Sequence, residues 1–124
     1  MHELSIAVSL VDVASREAAA AGAERVCTVY LKVGALSGVV RDALAFAFDV
    51  ATTHTMLEGA TLEIEDVPVA VFCPQCDAEK ELPDAYRFRC PSCGTPTPEI
   101  LRGRELEIAA LEIYEPAARS EQTD

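Results

Sequence analysis

Two stretches of helical period, three of strand period and two Cys-x-x-Cys pairs predict an α+β chain. The expected architecture is a small sheet with two helices and an inserted zinc-ribbon-like module built on the two cysteine turns. With 124 residues, half of them apolar, the chain has room for one modest core with a minor appendage. The expected division is an α/β domain over 1–70 plus 99–124, with the module at 71–98.

Residues 4–22 form the first predicted helix. Leu4, Val8, Val11, Ser15 and Ala18 fall on one stripe, widened by Ile6, Leu10, Val13 and Ala14. Asp12, Arg16 and Glu17 take the other face, and Gly22 is the stop signal. Residues 25–33 alternate as a strand, with Cys27, Val29, Leu31 and Val33 on the apolar face. Cys27 is therefore expected to be a buried core thiol. The glycine-bounded stretch 34–38 turns the chain into a second helix over 42–53. Leu44, Phe48 and Ala51 make its stripe, with Phe46, Ala47 and Val50 beside it and Asp42 as its cap. His54 falls in the exit loop, where a lone histidine reads as solvated.

Two further strand-like stretches, 61–72 and 105–114, each slip phase by one residue. Unbroken strands alternate strictly, so each slip implies a bulge or bend. Pro68 lacks an amide donor and belongs at an edge or a bent position. The cysteine pairs lie between these stretches, which makes the module an insertion between two strands of one sheet. Thr95-Pro96-Thr97-Pro98 reads as a stiff linker, and the chain from Pro116 onward reads as a frayed tail.

Four of the five cysteines occupy the module, as Cys73-Pro74-Gln75-Cys76 and Cys90-Pro91-Ser92-Cys93-Gly94. A two-residue spacer lets one tight turn aim both sulfurs of a pair at one point. Two such turns face to face make a tetrahedron of thiolates, at about 2.3 Å from a structural Zn²⁺. Gly94 suits a positive-φ position as the chain leaves the metal. Residue types alone leave a rubredoxin-like iron open. Four sulfurs leave no open coordination position, which argues against catalysis at this metal.

The formal charge of −11 works against a phosphate-binding surface. The 77–89 segment carries Tyr86 and Phe88 but too few bases for a single-strand-binding signature. No apolar run is long enough for a membrane span, and Glu3 stands where an export signal would begin basic. Paired cysteines in such a chain are expected as metal ligands in a cytoplasmic protein.

The start, Met1-His2-Glu3-Leu4-Ser5, permits a second metal chemistry. The Met1 amine, the His2 amide and the His2 imidazole can close fused chelate rings, with the Glu3 amide as fourth nitrogen. Square-planar nitrogen suits Ni²⁺ or Cu²⁺, and a site that needs deprotonated amides weakens as pH falls.

Met1-His2-Glu3-Leu4-Ser5, Gly34-Ala35-Leu36-Ser37-Gly38, Leu44-Ala45-Phe46-Ala47-Phe48 and the two cysteine pairs resemble the HypA/HybF family, over nearly the whole chain to about Tyr114. The family comprises nickel metallochaperones that mature [NiFe]-hydrogenases and, in some bacteria, urease. The resemblance implies a non-enzymatic protein with Ni(II) as cargo on Met1, His2 and Glu3, and zinc on Cys73, Cys76, Cys90 and Cys93. It implies a HypB-type GTPase and the hydrogenase large-subunit precursor as partners, urease maturation proteins in some cases, and neither nucleic acid nor membrane. Some members carry a histidine directly after a cysteine pair; here those positions are Asp77 and Gly94, which argues against a histidine entering the zinc shell. The competing expectation is a zinc-ribbon interaction or nucleic-acid-binding protein in which the N-terminus is incidental.

Overall fold

The computed structural model describes residues 2–84 and 87–115, with the backbone alone at His2. The elements in order are α1 (His2–Ala20), β1 (Arg25–Gly34), α2 (Arg41–Ala51), β2 (Thr61–Val67), β3 (Ala70–Cys73), β4 (Ala78–Glu81), β5 (Ile100–Arg102) and β6 (Leu106–Tyr114). They form two three-stranded sheets, ordered β2-β1-β6 and β4-β3-β5. The α+β expectation holds, and the cysteine-bearing segment does lie in sequence between two strands, β2 and β6, that flank β1. The chain divides into two compact units.

The first unit takes the described residues up to Leu31, then Val39–Glu63 and the chain from Ile108. Its core joins Val11, Ala14 and Ala18 of α1 to Val26, Val29, Phe48 and Leu57, with Leu62, Ile108, Leu111 and Ile113 packed against them. α1 starts two residues earlier than its apolar pattern suggests and is rotated from the expected stripe. Glu3, Ala7, Leu10, Val11, Ala14 and Ala18 are the buried residues, whereas Leu4 and Val8 are 52% and 55% exposed. Alanines at the buried positions allow close approach to neighbouring elements, a preference that a count of large apolar residues overlooks.

The helix ends as Gly22 predicts. Gly22 has φ 80°, its N–H donates to Ala19 O at 3.0 Å, and the Ala23 N–H donates to Ala18 O at 2.9 Å. Those two bonds form a Schellman motif, which satisfies carbonyls that the helix leaves open. In β1, Val29, Leu31 and Val33 are buried as expected, but Val26 and Thr28 are buried too, and Val26 joins Val29 in the core cluster. Cys27 is only half-buried, so the buried-thiol expectation is corrected. Thr28 Oγ1 donates to Glu112 Oε1 at 2.6 Å, which gives this polar group in β1 a partner on β6.

In α2, Leu44, Ala47 and Phe48 are buried, while Phe46 and Val50 are 73% and 53% exposed. Asp42 is not the cap. The N-cap residue is Val40, whose side chain cannot accept a hydrogen bond, and Asp42 sits within the first turn. His54 is exposed at φ 65°, in the turn region where it was expected.

The second unit contains Lys32–Gly38 and Ile64–Glu107. β3 is its central strand and pairs antiparallel with β4 from Ala70↔Glu81 to Cys73↔Ala78, and with β5 at Val71↔Ile100. Val69, Val71 and Leu82 are its buried apolar centre, against which Leu36, Phe88 and Ile100 pack. The phase slip in 61–72 is a strand break: β2 ends at Val67 and β3 begins at Ala70 in the other sheet, with Pro68 between them. The strands at 78–81 and 100–102 carry no strand pattern of their own, since such short stretches owe their conformation to pairing with β3. Thr95–Pro98 lies outside the named strands, as a stiff linker would, but it is also tied to the preceding chain. The Thr97 N–H donates to Phe88 O at 2.9 Å, Arg89 and Pro96 form a bridge, and Thr97 is 1% exposed. The expected tail, 116–124, lies outside the described residues, as does Tyr86.

Gly34 is required by a close approach. A Cβ there would fall 2.1 Å from Gly103 O, while the Gly34 N–H donates to Glu105 O at 2.7 Å and the Leu36 N–H to Gly103 O at 2.6 Å. Backbone therefore occupies the space of any side chain. Gly34→Ala is expected to cost about 2 kcal/mol or more of stability, as backbone strain within a hydrogen-bonded clamp, measured as a drop in the urea midpoint. A midpoint within error of the parent would contradict this clamp.

Candidate metal centre

The four paired cysteines converge in the second unit, with their sulfurs all within 4.8 Å of one another. Cys73 ends β3, and Cys76 follows in the turn before β4. The first turn is fixed by the Cys76 N–H donating to Cys73 Sγ at 3.3 Å. The second turn repeats the device: the Ser92 N–H donates to Cys90 Sγ at 3.4 Å, and the Gly94 N–H to Cys90 O at 2.8 Å. Each turn leaves through a left-handed residue, Asp77 at φ 53° and Gly94 at φ 77°. The glycine was predicted; the aspartate holds the equivalent place because a short polar side chain tolerates that region.

Sulfur separations test whether the cluster fits a metal. Cys73–Cys93 is 3.6 Å, Cys76–Cys93 is 3.7 Å and Cys76–Cys90 is 3.9 Å. A tetrahedron with metal–sulfur bonds of about 2.3 Å has edges of about 3.8 Å. The donor set therefore suits a structural zinc. Cys73 and Cys90 are 0% and 3% exposed, whereas Cys76 and Cys93 are exposed. The cluster is anchored on its inner pair and open to solvent on its outer pair.

Without a cation these thiols compete for charge. Hydrogen bonding from the Thr95 hydroxyl, then from its backbone, draws Cys93 down to about 6. Burial raises Cys90, but the N–H groups of Cys93 and Ser92 outweigh it and leave the thiol below its usual value. Hydrogen bonding to Cys93 and Cys73 pushes Cys76 up to about 12. One cluster thus accepts some thiolates and refuses others, and a divalent cation removes the conflict. Two basic side chains brace the second turn, Arg89 on Gly94 O at 3.2 Å and Lys80 on Ser92 Oγ at 3.4 Å. Across the small sheet, Arg102 pairs with Glu79, which raises the arginine and lowers the carboxyl.

The residues expected to hold the second metal begin α1. Met1 and the His2 side chain lie outside the described residues. Glu3 is 7% exposed, and its Oε2 accepts the Val40 N–H at 3.1 Å. This carboxylate from α1 therefore serves the N-terminus of α2, where the local cap is a valine and the helix dipole favours negative charge. The α-ammonium group, the Val40 N–H and its own N–H together hold the Glu3 carboxyl at about 2. A lowered carboxyl stabilises the fold fully at pH values above its ordinary 4.5 and loses that contribution progressively as pH falls from there through about 2. The sequence carried no cue for this contact, because its partners are 37 residues apart.

A small α+β chain with a closed four-sulfur site and no open metal position belongs among proteins that carry zinc as structure. The family model described as "HypA: Hydrogenase/urease nickel incorporation, metallochaperone, hypA" matches residues 1–113, and the chain belongs to that family. Among curated relatives, the hydrogenase maturation factor HypA of Roseiflexus sp. (strain RS-1) is 59% identical over 112 residues, covering 90% of this chain and 91% of the relative. The hydrogenase maturation factor HypA of Chloroflexus aggregans is 56% identical over 112 residues, covering 90% and 98%. The solution structure of the Ni metallochaperone HypA from Helicobacter pylori matches with a TM-score of 0.66 at 24% identity, covering 93% of this chain and 99% of that one. At that identity the likeness speaks for the fold.

Two outcomes follow from the cluster. Zinc loading at pH 7 is expected to release protons, Cys76 above all, which calorimetry in buffers of different ionisation enthalpy detects; binding with no proton release would contradict the thiol charges given above. Gly94→Val places a β-branched residue at φ 77° and is expected to cost about 1–2 kcal/mol, read as faster zinc loss to a chelator.

Proposed function

We propose that this chain is a nickel metallochaperone, which binds Ni(II) at its N-terminus and delivers it during maturation of a [NiFe]-hydrogenase. Family membership across residues 1–113, including the Met-His-Glu start, carries this reading. The relatives named as hydrogenase maturation factors favour hydrogenase as the recipient, and the family's description extends the possibility to urease.

In this reading the nickel ligands are the Met1 amine, the His2 amide and imidazole, and the Glu3 amide. The first N–H groups of a helix have no partner within it, so binding through the His2 and Glu3 amides sacrifices no helical hydrogen bond. The Glu3 carboxylate is already engaged at Val40, so Glu3 contributes backbone nitrogen while its side chain holds the start of α1. Nickel loading displaces protons from the amine and amides, so affinity falls with pH. Cys73, Cys76, Cys90 and Cys93 hold zinc as structure and leave nickel to the terminus. The protein acts as a carrier rather than an enzyme, in the cytoplasm, with residues 1–70 plus 99–124 as the nickel domain and 71–98 as the zinc module. Among the described residues no helix is long and apolar enough to cross a membrane. A HypB-type GTPase and the hydrogenase large-subunit precursor are its partners.

His2→Ala is expected to abolish stoichiometric nickel binding while zinc content and the melting curve stay at parent values. Cys73→Ala should instead lose zinc, forfeiting much of the roughly 10–16 kcal/mol that structural zinc contributes in small zinc domains. Nickel titration of protein with its native start, against the same chain carrying an N-terminal extension, separates the readings directly. Equal binding of one Ni²⁺ by both would overturn the terminal site.

A further inference from the structure

The four sulfurs are chemically unequal, and the inequality singles out one of them. Cys73 Sγ accepts the Cys76 N–H at 3.3 Å, and Cys90 Sγ accepts the Ser92 N–H at 3.4 Å. Cys93 Sγ lies 3.1 Å from Thr95 Oγ1, whose hydroxyl donates when the sulfur is ionised. Among the described residues, no N–H or O–H group donates to Cys76 Sγ. A donor draws charge from a thiolate and reduces its nucleophilicity; a thiolate without one keeps it. Cys76 is also exposed, whereas Cys73 and Cys90 are not. The nearest exposed sulfur to Cys76 belongs to Cys93, at 3.7 Å.

From this geometry we propose that Cys76 is a site of oxidation by two-electron oxidants of the peroxide class, with Cys93 as its resolving thiol. In the zinc-loaded chain, where the ligand sulfurs are held as thiolates, the Cys76 thiolate attacks one oxygen of the peroxide; an S–O bond forms, the O–O bond breaks and hydroxide leaves, so Cys76 becomes a sulfenic acid. The Cys93 thiolate then attacks the Cys76 sulfur; an S–S bond forms, the S–O bond breaks and a second hydroxide leaves. Two protons from solvent convert the hydroxides to water. The peroxide gains two electrons, and the two sulfurs supply one each.

Two of the four thiolates are then spent. Only the buried Cys73 and Cys90 remain as ligands, too few for a four-coordinate structural site. Zinc leaves, and the outer turns are tied to each other rather than to the metal. A dithiol reductant restores all four thiolates and with them the capacity to reload zinc. The inner pair, shielded from the oxidant, preserves the end of β3 as a template for reassembly. Nickel binding at the N-terminus plays no part in this chemistry.

The test treats the zinc-loaded full chain with substoichiometric hydrogen peroxide. It follows zinc with a chromogenic chelator and maps disulfides by peptide mass spectrometry. One zinc released per disulfide formed, with the disulfide joining Cys76 to Cys93, is the expected result. Retention of zinc after the peroxide is consumed, or a disulfide between any other pair, overturns it. A second measurement needs no cysteine variant: under limiting iodoacetamide the first adduct on the zinc-loaded protein should appear on Cys76. Thr95→Val removes the hydroxyl beside Cys93 and should bring its alkylation rate up towards that of Cys76. A first adduct on any other cysteine in the parent, or no change at Cys93 in that variant, overturns the assigned order.

Discussion

Four thiolates brought within 4.8 Å of one another repel, and the second unit is organised around relieving that repulsion. Backbone amides neutralise part of the charge on the inner sulfurs, and the left-handed residues Asp77 and Gly94 release the chain from each turn without covering the cluster. Lys80 and Arg89 add positive charge beside the second turn. Even so, Cys76 and Cys93 shift in opposite directions, one thiol favoured as a thiolate and the other disfavoured. A divalent cation bound by the four sulfurs would complete the balance. Among the described residues, the apolar centre of this unit is Val69, Val71 and Leu82, with Leu36, Phe88 and Ile100 packed against it.

The first unit solves a different problem. Its core is formed by small residues on α1 meeting Val26, Val29, Phe48 and Leu57, and its helix α2 begins without a capping side chain of its own. Glu3 supplies the missing charge from the other helix. The residue immediately after His2 is thereby buried and held, so the backbone of the first turn of α1 has a defined place. The nickel site proposed at this terminus would gain from such an anchor, because fewer conformations are lost when a metal binds.

Much of this organisation was legible in the residues. The spacing of the cysteine pairs announced the four-sulfur cluster, Gly22 and Gly94 marked a helix end and a turn exit, and alternation through 25–33 located the central strand. The misplaced features share one cause, which is that they depend on what lies opposite. Leu4 and Val8 have the right period for a core stripe, yet alanines at Ala7, Ala14 and Ala18 are buried instead. Asp42 has the right chemistry for a cap, yet the bond at Val40 comes from Glu3. Thr97 sits between prolines and still pairs with Phe88, because the second cysteine turn folds the chain back on itself.

Sequence alone determined the chemistry: which residues can bind metal, and that four thiolates at this spacing close around one ion. Short-range geometry decides those matters, since a two-residue spacer leaves the sulfurs of a pair few other places to go. Tertiary structure alone decided the inequality of the four sulfurs, with two buried and two exposed, and one of the exposed pair without a donor among the described residues. It also decided that the Glu3 carboxylate caps a helix 37 residues away. Burial and long-range hydrogen bonds depend on packing against distant parts of the chain, and no local pattern encodes them.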